Sequence, residues 1–282
     1  MRPGAGRWAA ALLVAGLVLA GVAGRAAEPN DLRLDGVPTQ GALLRGTVPP
    51  GTKLWLRGKS LRVDRDGAFA IGFGRDETGP IALEVAPPSG PRRTETLAVA
   101  KRDWPVQRID GLPPSQVSPN AAALERIHAE QRKLDAARAA DSAEAGWRVA
   151  FQWPAIGPIS GVYGSQRILN GEPRAPHVGL DIAAPEGAPI SAPASGVVRL
   201  AEPDLFFTGG TVIVDHGHGV MTFYAHMSRI DVQVGQHLAA GAPIGRVGKT
   251  GRVTGPHLHF ALYWLGVALD PASILPPEQP TP

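Results

Sequence analysis

Apolar residues in this chain come in short runs broken by glycine or proline, and that punctuation leaves β-strands as nearly the only regular element available. The 282 residues include 35 glycines and 28 prolines, two residue types that helix interiors tolerate poorly. Over residues 31–99 the runs LWLRG, LRVD, AFAIGF, IALEVA and TLAVA alternate as half-buried strands do. Asp66-Gly67 and the Pro87-Pro88-Ser89-Gly90-Pro91 cluster supply turns between them. This stretch reads as a small β-sandwich, and it contains no histidine. Over residues 147–275 the runs GVVRL, TVIVDHG, VMTFYAH and PIGRVG predict a second all-β unit, large enough to fold alone.

One segment breaks the pattern. After the proline-studded GLPPSQVSPN, the sequence PNAAALERIHAEQRKLDAARAADSAEAG is rich in good helix formers. Ser118 suits the N-cap, Pro119 the first helical position and Gly146 the stop. Leu124, Ile127 and Leu134, with Gln131 in the same row, give a stripe too thin for a core helix. The expectation is a spacer lying along a domain surface, with His128 solvated on it. The fold class expected is therefore mainly β: a small N-terminal sandwich over 28–110, a connector and helix over 111–146, and an antiparallel β-sheet domain over 147–275. The tail 276–282 reads as disordered.

The first 27 residues read as an export signal, with an uncleaved membrane anchor as the alternative. Arg2 and Arg7 precede an apolar run from Trp8 to Val22, and small residues end at Ala26 and Ala27. No other apolar stretch is long enough to span a bilayer, so a periplasmic or extracellular location without stable membrane insertion is expected. The absence of cysteine excludes a disulfide scaffold, a thiolate metal site and a cysteine nucleophile. The formal charge of +3 comes from Arg2, Arg7 and Arg25, which all lie in the signal. The remainder is balanced, and nothing in it favours nucleic acid as a partner.

Seven of the eight histidines fall after residue 147. His257 and His259, in GPHLHF, are two apart, so on a strand both face one side while Leu258 and Phe260 face the core. His177 and Asp181 stand in PHVGLD, and His226 in FYAHMS. Two imidazoles and a carboxylate make a zinc site with a coordination position left for solvent. Such an ion lowers the pKa of coordinated water to about 7 and polarises a carbonyl. His177, Asp181 and one histidine of the C-terminal pair supply that set; the other, with His226, is available for proton transfer and oxyanion donation.

The surroundings of these residues sharpen the reading. PHVGLDIAAPEGAPISAPASGVV, then TVIVDHGHGVMTFYAHMS, then VGQHLAAGAPIGRVGKTGRVTGPHLHF, resembles the lysostaphin-type (LytM-like) zinc endopeptidases, which cut peptide bonds in peptidoglycan. The resemblance covers residues 147–275. It implies that His177, Asp181 and His259 are the zinc ligands and that His226 and His257 are catalytic. It also implies an antiparallel sheet with a groove that admits an extended peptide, and peptidoglycan peptides as the partner. The alternative is a non-hydrolytic wall-binding protein that regulates another hydrolase. Oligomeric state is not readable.

Other signals are set aside. His216 and His218 form a second His-x-His, but in a Gly-rich turn, and His237 reads as solvated. GRVGKTG lacks the first glycine of a phosphate loop, since Pro243 stands there. Lys249 in a biotinyl-type hairpin leaves the histidines unexplained. Tyr224 is placed where it can share a face with His226, although a packed strand aromatic is commoner. Asp215 and Asp270 are candidate acceptors for ligand imidazoles. HExxH is absent, and with it the glutamate base that motif supplies.

Overall fold

The computed structural model describes residues 32–111 and 120–280. The expected export signal, Ser118 and Pro119 lie outside the described residues. Among the described residues the chain is mainly β with one long helix, as the glycine and proline spacing predicts.

The first part holds two small antiparallel sheets. One joins Arg33–Leu34, Leu43–Thr47 and Ala68–Gly72; the other joins Lys59–Leu61, Lys53–Leu56, Pro80–Ala86 and Arg93–Ala98. Alternation works as expected in Pro80–Ala86, where Ile81, Leu83 and Val85 are buried and their neighbours are not. The Asp66-Gly67 turn is present, with Gly67 at φ 89°. A Cβ there would run into the Val48 carbonyl, so no other residue fits.

The sheet that matters for function is antiparallel throughout. Its order is His237–Leu238, Gly196–Leu205, Gly209–Asp215, Val220–Met227, Leu258–Trp264, Leu180–Ile182 and Ile159–Gly161. Val267–Leu269 folds back on Leu258–Trp264 as a hairpin. The two faces differ. Tyr224, Phe260 and Leu262 point into the large core that also contains Leu54, Phe69 and Ile71 of the first part. Phe223, Ala225, Ala261 and Tyr263 point to the opposite face, in a second and smaller cluster. Cross-strand partners share a face, so the pairings Ala225↔His259 and Phe223↔Ala261 put His259 on the side of the smaller cluster.

Several contacts bind the first part to this sheet. Arg102 Nη1 reaches Asp270 Oδ2 at 2.7 Å, the Asp270 N–H donates to the Gly41 carbonyl, and His218 Nε2 meets Asp64 Oδ1 at 2.9 Å. Val106–Ile109 pairs in parallel with Gln166–Leu169, so a segment assigned to the first unit is a strand beside the second.

The helix runs from Ala121 to Arg138, eight residues short of the Gly146 stop. Asn120 is its N-cap, its side chain accepting from the Ala123 N–H. The turn ends at Ala139 instead, and Gly146 and Trp147 go into a buried 3-10 turn. The helix does lie along a domain surface. Leu134 is buried in the smaller cluster, so the helix lies across the face of the sheet that carries His259.

Candidate metal centre

Asp181 and His259 are direct cross-strand partners in the antiparallel pair Leu180–Ile182 and Leu258–Trp264, so the pleat presents both side chains to one face. His177 arrives from the segment before that strand, pinned by its N–H to the Ser165 carbonyl. Its Nε2 lies 3.0 Å from His259 Nδ1 and 3.0 Å from Asp181 Oδ1, and His259 Nδ1 lies 2.8 Å from Asp181 Oδ1. Ligands at ~2.0–2.1 Å around a tetrahedral zinc are spaced about 3.3 Å apart. Three donor atoms at these separations therefore fit one small cation.

The tautomer fits as well. His177 Nδ1 donates to the Val162 carbonyl at 3.1 Å, which leaves the Nε2 lone pair facing the other two ligands. Burial pushes the His259 imidazole down to about 4, so it is neutral and can donate a lone pair. Burial would raise the Asp181 carboxyl, but the imidazoles of His177 and His259 beside its Oδ1 outweigh it and hold it well below the usual carboxylate range. Two neutral rings and one carboxylate are a metal donor set. Glycines make room for it: a Cβ on Gly161 would strike Asp181 Oδ2, and one on Gly179 would come within 2.7 Å of the His259 ring.

His257 stands just before its strand, held by an isolated bridge to Gly248. Its Nδ1 donates to the Gly255 carbonyl at 2.9 Å, and its Nε2 lies 3.8 Å from Asp181 Oδ1. His226 reaches the same place by breaking the pleat. Its φ is 63°, a left-handed conformation uncommon outside glycine, which turns the ring from the core side to the site. Its Nδ1 donates to the Thr250 carbonyl, and its ring lies 4.8 Å from that of His257 and 6.1 Å from that of His259. Burial, then the neighbouring His259 and His257, push it down to about 3. Both rings keep Nε2 as the lone-pair nitrogen. All five residues singled out from the sequence thus converge.

Other candidates do not. Tyr224 stays on the core face with its hydroxyl on Thr222, because the turn at His226 breaks the shared-face relation. Asp215 pairs with Arg199 and accepts from the Gly217 N–H, while Asp270 pairs with Arg102 and caps a 3-10 turn. Neither touches a ligand imidazole; the Val162 carbonyl serves His177 instead. His216 is a buried structural residue between the Ser195 carbonyl and the Thr222 hydroxyl, and His218 stacks on Trp147. His237 is exposed, and Lys249 pairs with Glu186.

Two neighbours of the site went unnoticed in the sequence. Arg167 places Nη2 3.4 Å from Asp181 Oδ2, and Arg138 of the helix lies over Tyr263, 4.4 Å from its ring centre. A cavity of about 150 Å³ runs between Ile127, Leu134 and Arg138 of the helix and Phe223, His259 and Tyr263 of the sheet. The alternation of VMTFYAH signals Phe223, but the helix contact has no local signature.

Comparison with known proteins agrees with this geometry. Residues 175–271 match the model for peptidase family M23. A crystal structure described as a peptidase M23 of Pseudomonas aeruginosa is 30% identical, with 85% of this chain and 95% of that one aligned at a TM-score of 0.65. The chain belongs to peptidase family M23. The M23 chain is also 46% identical over 88 residues, 31% of its length, to the peptidoglycan DD-endopeptidase ShyA of Vibrio cholerae. It is 34% identical over 132 residues, 45% of its length, to the cell division protein DipM of Caulobacter vibrioides. These matches span only 20% and 21% of the relatives' own lengths.

Proposed function

We propose that this M23 chain is an exported zinc endopeptidase that hydrolyses amide bonds in peptidoglycan stem peptides or cross-bridges. The observation that carries the reading is the convergence of His177, Asp181 and His259 within bonding range of one cation, with His226 and His257 beside them. The substrate class follows from relatives such as ShyA, a DD-endopeptidase by name, and the location from the signal pattern of residues 1–27.

His177 and His259 through nitrogen, and Asp181 through oxygen, are the ligands. A zinc ion held there supplies Lewis acidity toward water and the scissile carbonyl. The chain's own groups handle the protons. His257 presents Nε2 close to Asp181 and is placed to accept the proton of the attacking water. His226, with Nδ1 fixed on the Thr250 carbonyl, presents its other nitrogen beside His257. Protonated, either ring donates to the developing oxyanion or to the departing nitrogen. Arg167 on Asp181 Oδ2 keeps the carboxylate oriented while Oδ1 faces the ligands.

Purified sacculi test this. Zinc-loaded protein should release muropeptides, chelator should stop the release, and added zinc should restore it. Fully loaded protein that releases nothing favours the non-hydrolytic, regulatory alternative.

A further inference from the structure

His177 is seated by a turn, residues 162–165, that leads into the short strand Gln166–Leu169. The Val162 carbonyl accepts from His177 Nδ1, the Gly164 N–H donates to the His177 carbonyl at 2.8 Å, and the His177 N–H donates to the Ser165 carbonyl at 2.9 Å. Two residues further on, Arg167 reaches Asp181 Oδ2. One stretch of eight residues thus fixes His177 and orients Asp181.

The first part of the chain holds that stretch. Arg75 Nε donates to the Gly164 carbonyl at 2.7 Å. The Trp104 ring sits so close to Gly164 that a Cβ there would come within 2.0 Å of it, and it meets the Tyr163 ring edge-on at 5.6 Å. Arg75 and Arg102 place their guanidinium carbons 5.3 and 4.5 Å from the centre of the Trp104 ring, which keeps the indole in place. Val106–Ile109 then runs in parallel beside Gln166–Leu169, with Gln107 opposite Arg167. The Gln166 N–H on the Pro105 carbonyl and the Asn170 N–H on the Ile109 carbonyl close the two ends of that pairing.

A short turn left to itself must be ordered when the ligands assemble on a metal, and that cost is subtracted from affinity. Groups that orient a ligand imidazole are worth about 10- to 100-fold in metal binding. We propose that the first β part is a positioning element of the metal centre. Arg75 and Trp104 act through Gly164 on His177, and Val106–Ile109 acts through Arg167 on Asp181. This deepens the metal-dependent reading and rests on it.

The test measures zinc affinity of the full chain by competition with a chromogenic chelator. Trp104→Ala and Arg75→Ala should each weaken binding about tenfold or more, and Arg75→Lys, which keeps a donor, should recover part of the loss. Arg45→Ala is the matched control. Arg45 also belongs to the first part, and its Nε donates to the Trp147 carbonyl at 2.9 Å, on a segment that carries no ligand. It should leave zinc affinity unchanged. Unchanged affinity in Arg75→Ala, or an equal loss in Arg45→Ala, would overturn the proposal; the arginine pair decides even if Trp104→Ala does not fold. Should the wild type bind no zinc, the metal-dependent reading fails, and amide exchange at Gly164 and His177 decides the positioning role. Faster exchange in Arg75→Ala than in Arg45→Ala supports it; equal rates refute it.

Discussion

The rings of His226 and His257 lie 4.8 Å apart, and each is fixed through Nδ1 to a loop carbonyl, Thr250 and Gly255 respectively. The pairing sets both Nε2 atoms beside the ligand triad without making either ring part of it. His257→Ala and His226→Ala should therefore keep their zinc and lose hydrolysis by about 10²-fold or more, the usual size for a missing acid–base group. Elemental analysis of the purified variants beside their rates checks the division. Zinc loss in His257→Ala equal to that in His259→Ala would refute it.

Gly179 touches the ligand shell without donating to it. A Cβ there meets the Phe260 carbonyl at 2.6 Å and the His259 ring at 2.7 Å. Gly179→Ala should displace His259 and weaken zinc binding by about 10- to 100-fold, as loss of ligand support does. Competition with a chromogenic chelator measures this, and unchanged affinity would mean that the ring has room to give.

Arg126, Glu130 and Lys133 fasten the helix to the strand and turn at Glu202, Asp204 and Phe206, and Leu134 seats it against Phe223 and Tyr263. The exposed ion pairs contribute little. Burial of Leu134 contributes about 1.5 kcal/mol or more, so replacing it should shift helix docking about tenfold. Leu134→Glu should then expose the His259 side of the sheet and speed hydrolysis of sacculi by up to that factor. A slower rate would show that the helix helps to hold the peptide.

Acid should destabilise the fold through His216, which lies away from the metal centre. Burial, partly offset by the Ser195 carbonyl and Asp215, pushes its imidazole down to about 4. Its unfolded pKa is near 6.5, so the folded chain binds fewer protons between those values. The stabilisation is complete above about pH 6.5 and is lost as the pH falls toward 4, by about 3 kcal/mol. Denaturant midpoints against pH should fall across that window and flatten in His216→Asn; a parallel fall in the variant would assign the loss elsewhere.

Much of this was legible in the chain because it is local. Two-residue periodicity set Leu258 and Phe260 in the core and His259 on the other face, where they are found, with His257 just before the strand. The turn chemistry of Asp66-Gly67 was equally local. What the sequence concealed depends on distant pairing. His226 reaches the site through a left-handed φ that no alternation rule foretells, and the same break leaves Tyr224 behind on the core face. The stripe Ile127–Leu134 is thin because it covers a sheet face already half filled by Phe223 and Tyr263. Arg167 and Arg174 are unremarkable in sequence and meet only through a hairpin.

The central claim is that one zinc ion is shared by His177, Asp181 and His259. Zinc-edge absorption of the purified full chain tests it most directly. The account predicts one zinc per chain with two imidazole nitrogens and at least one oxygen at ~2.0–2.2 Å, and no stoichiometric zinc in His177→Ala, Asp181→Ala or His259→Ala. Zinc bound equally well by all three variants, or by none including the wild type, would contradict it.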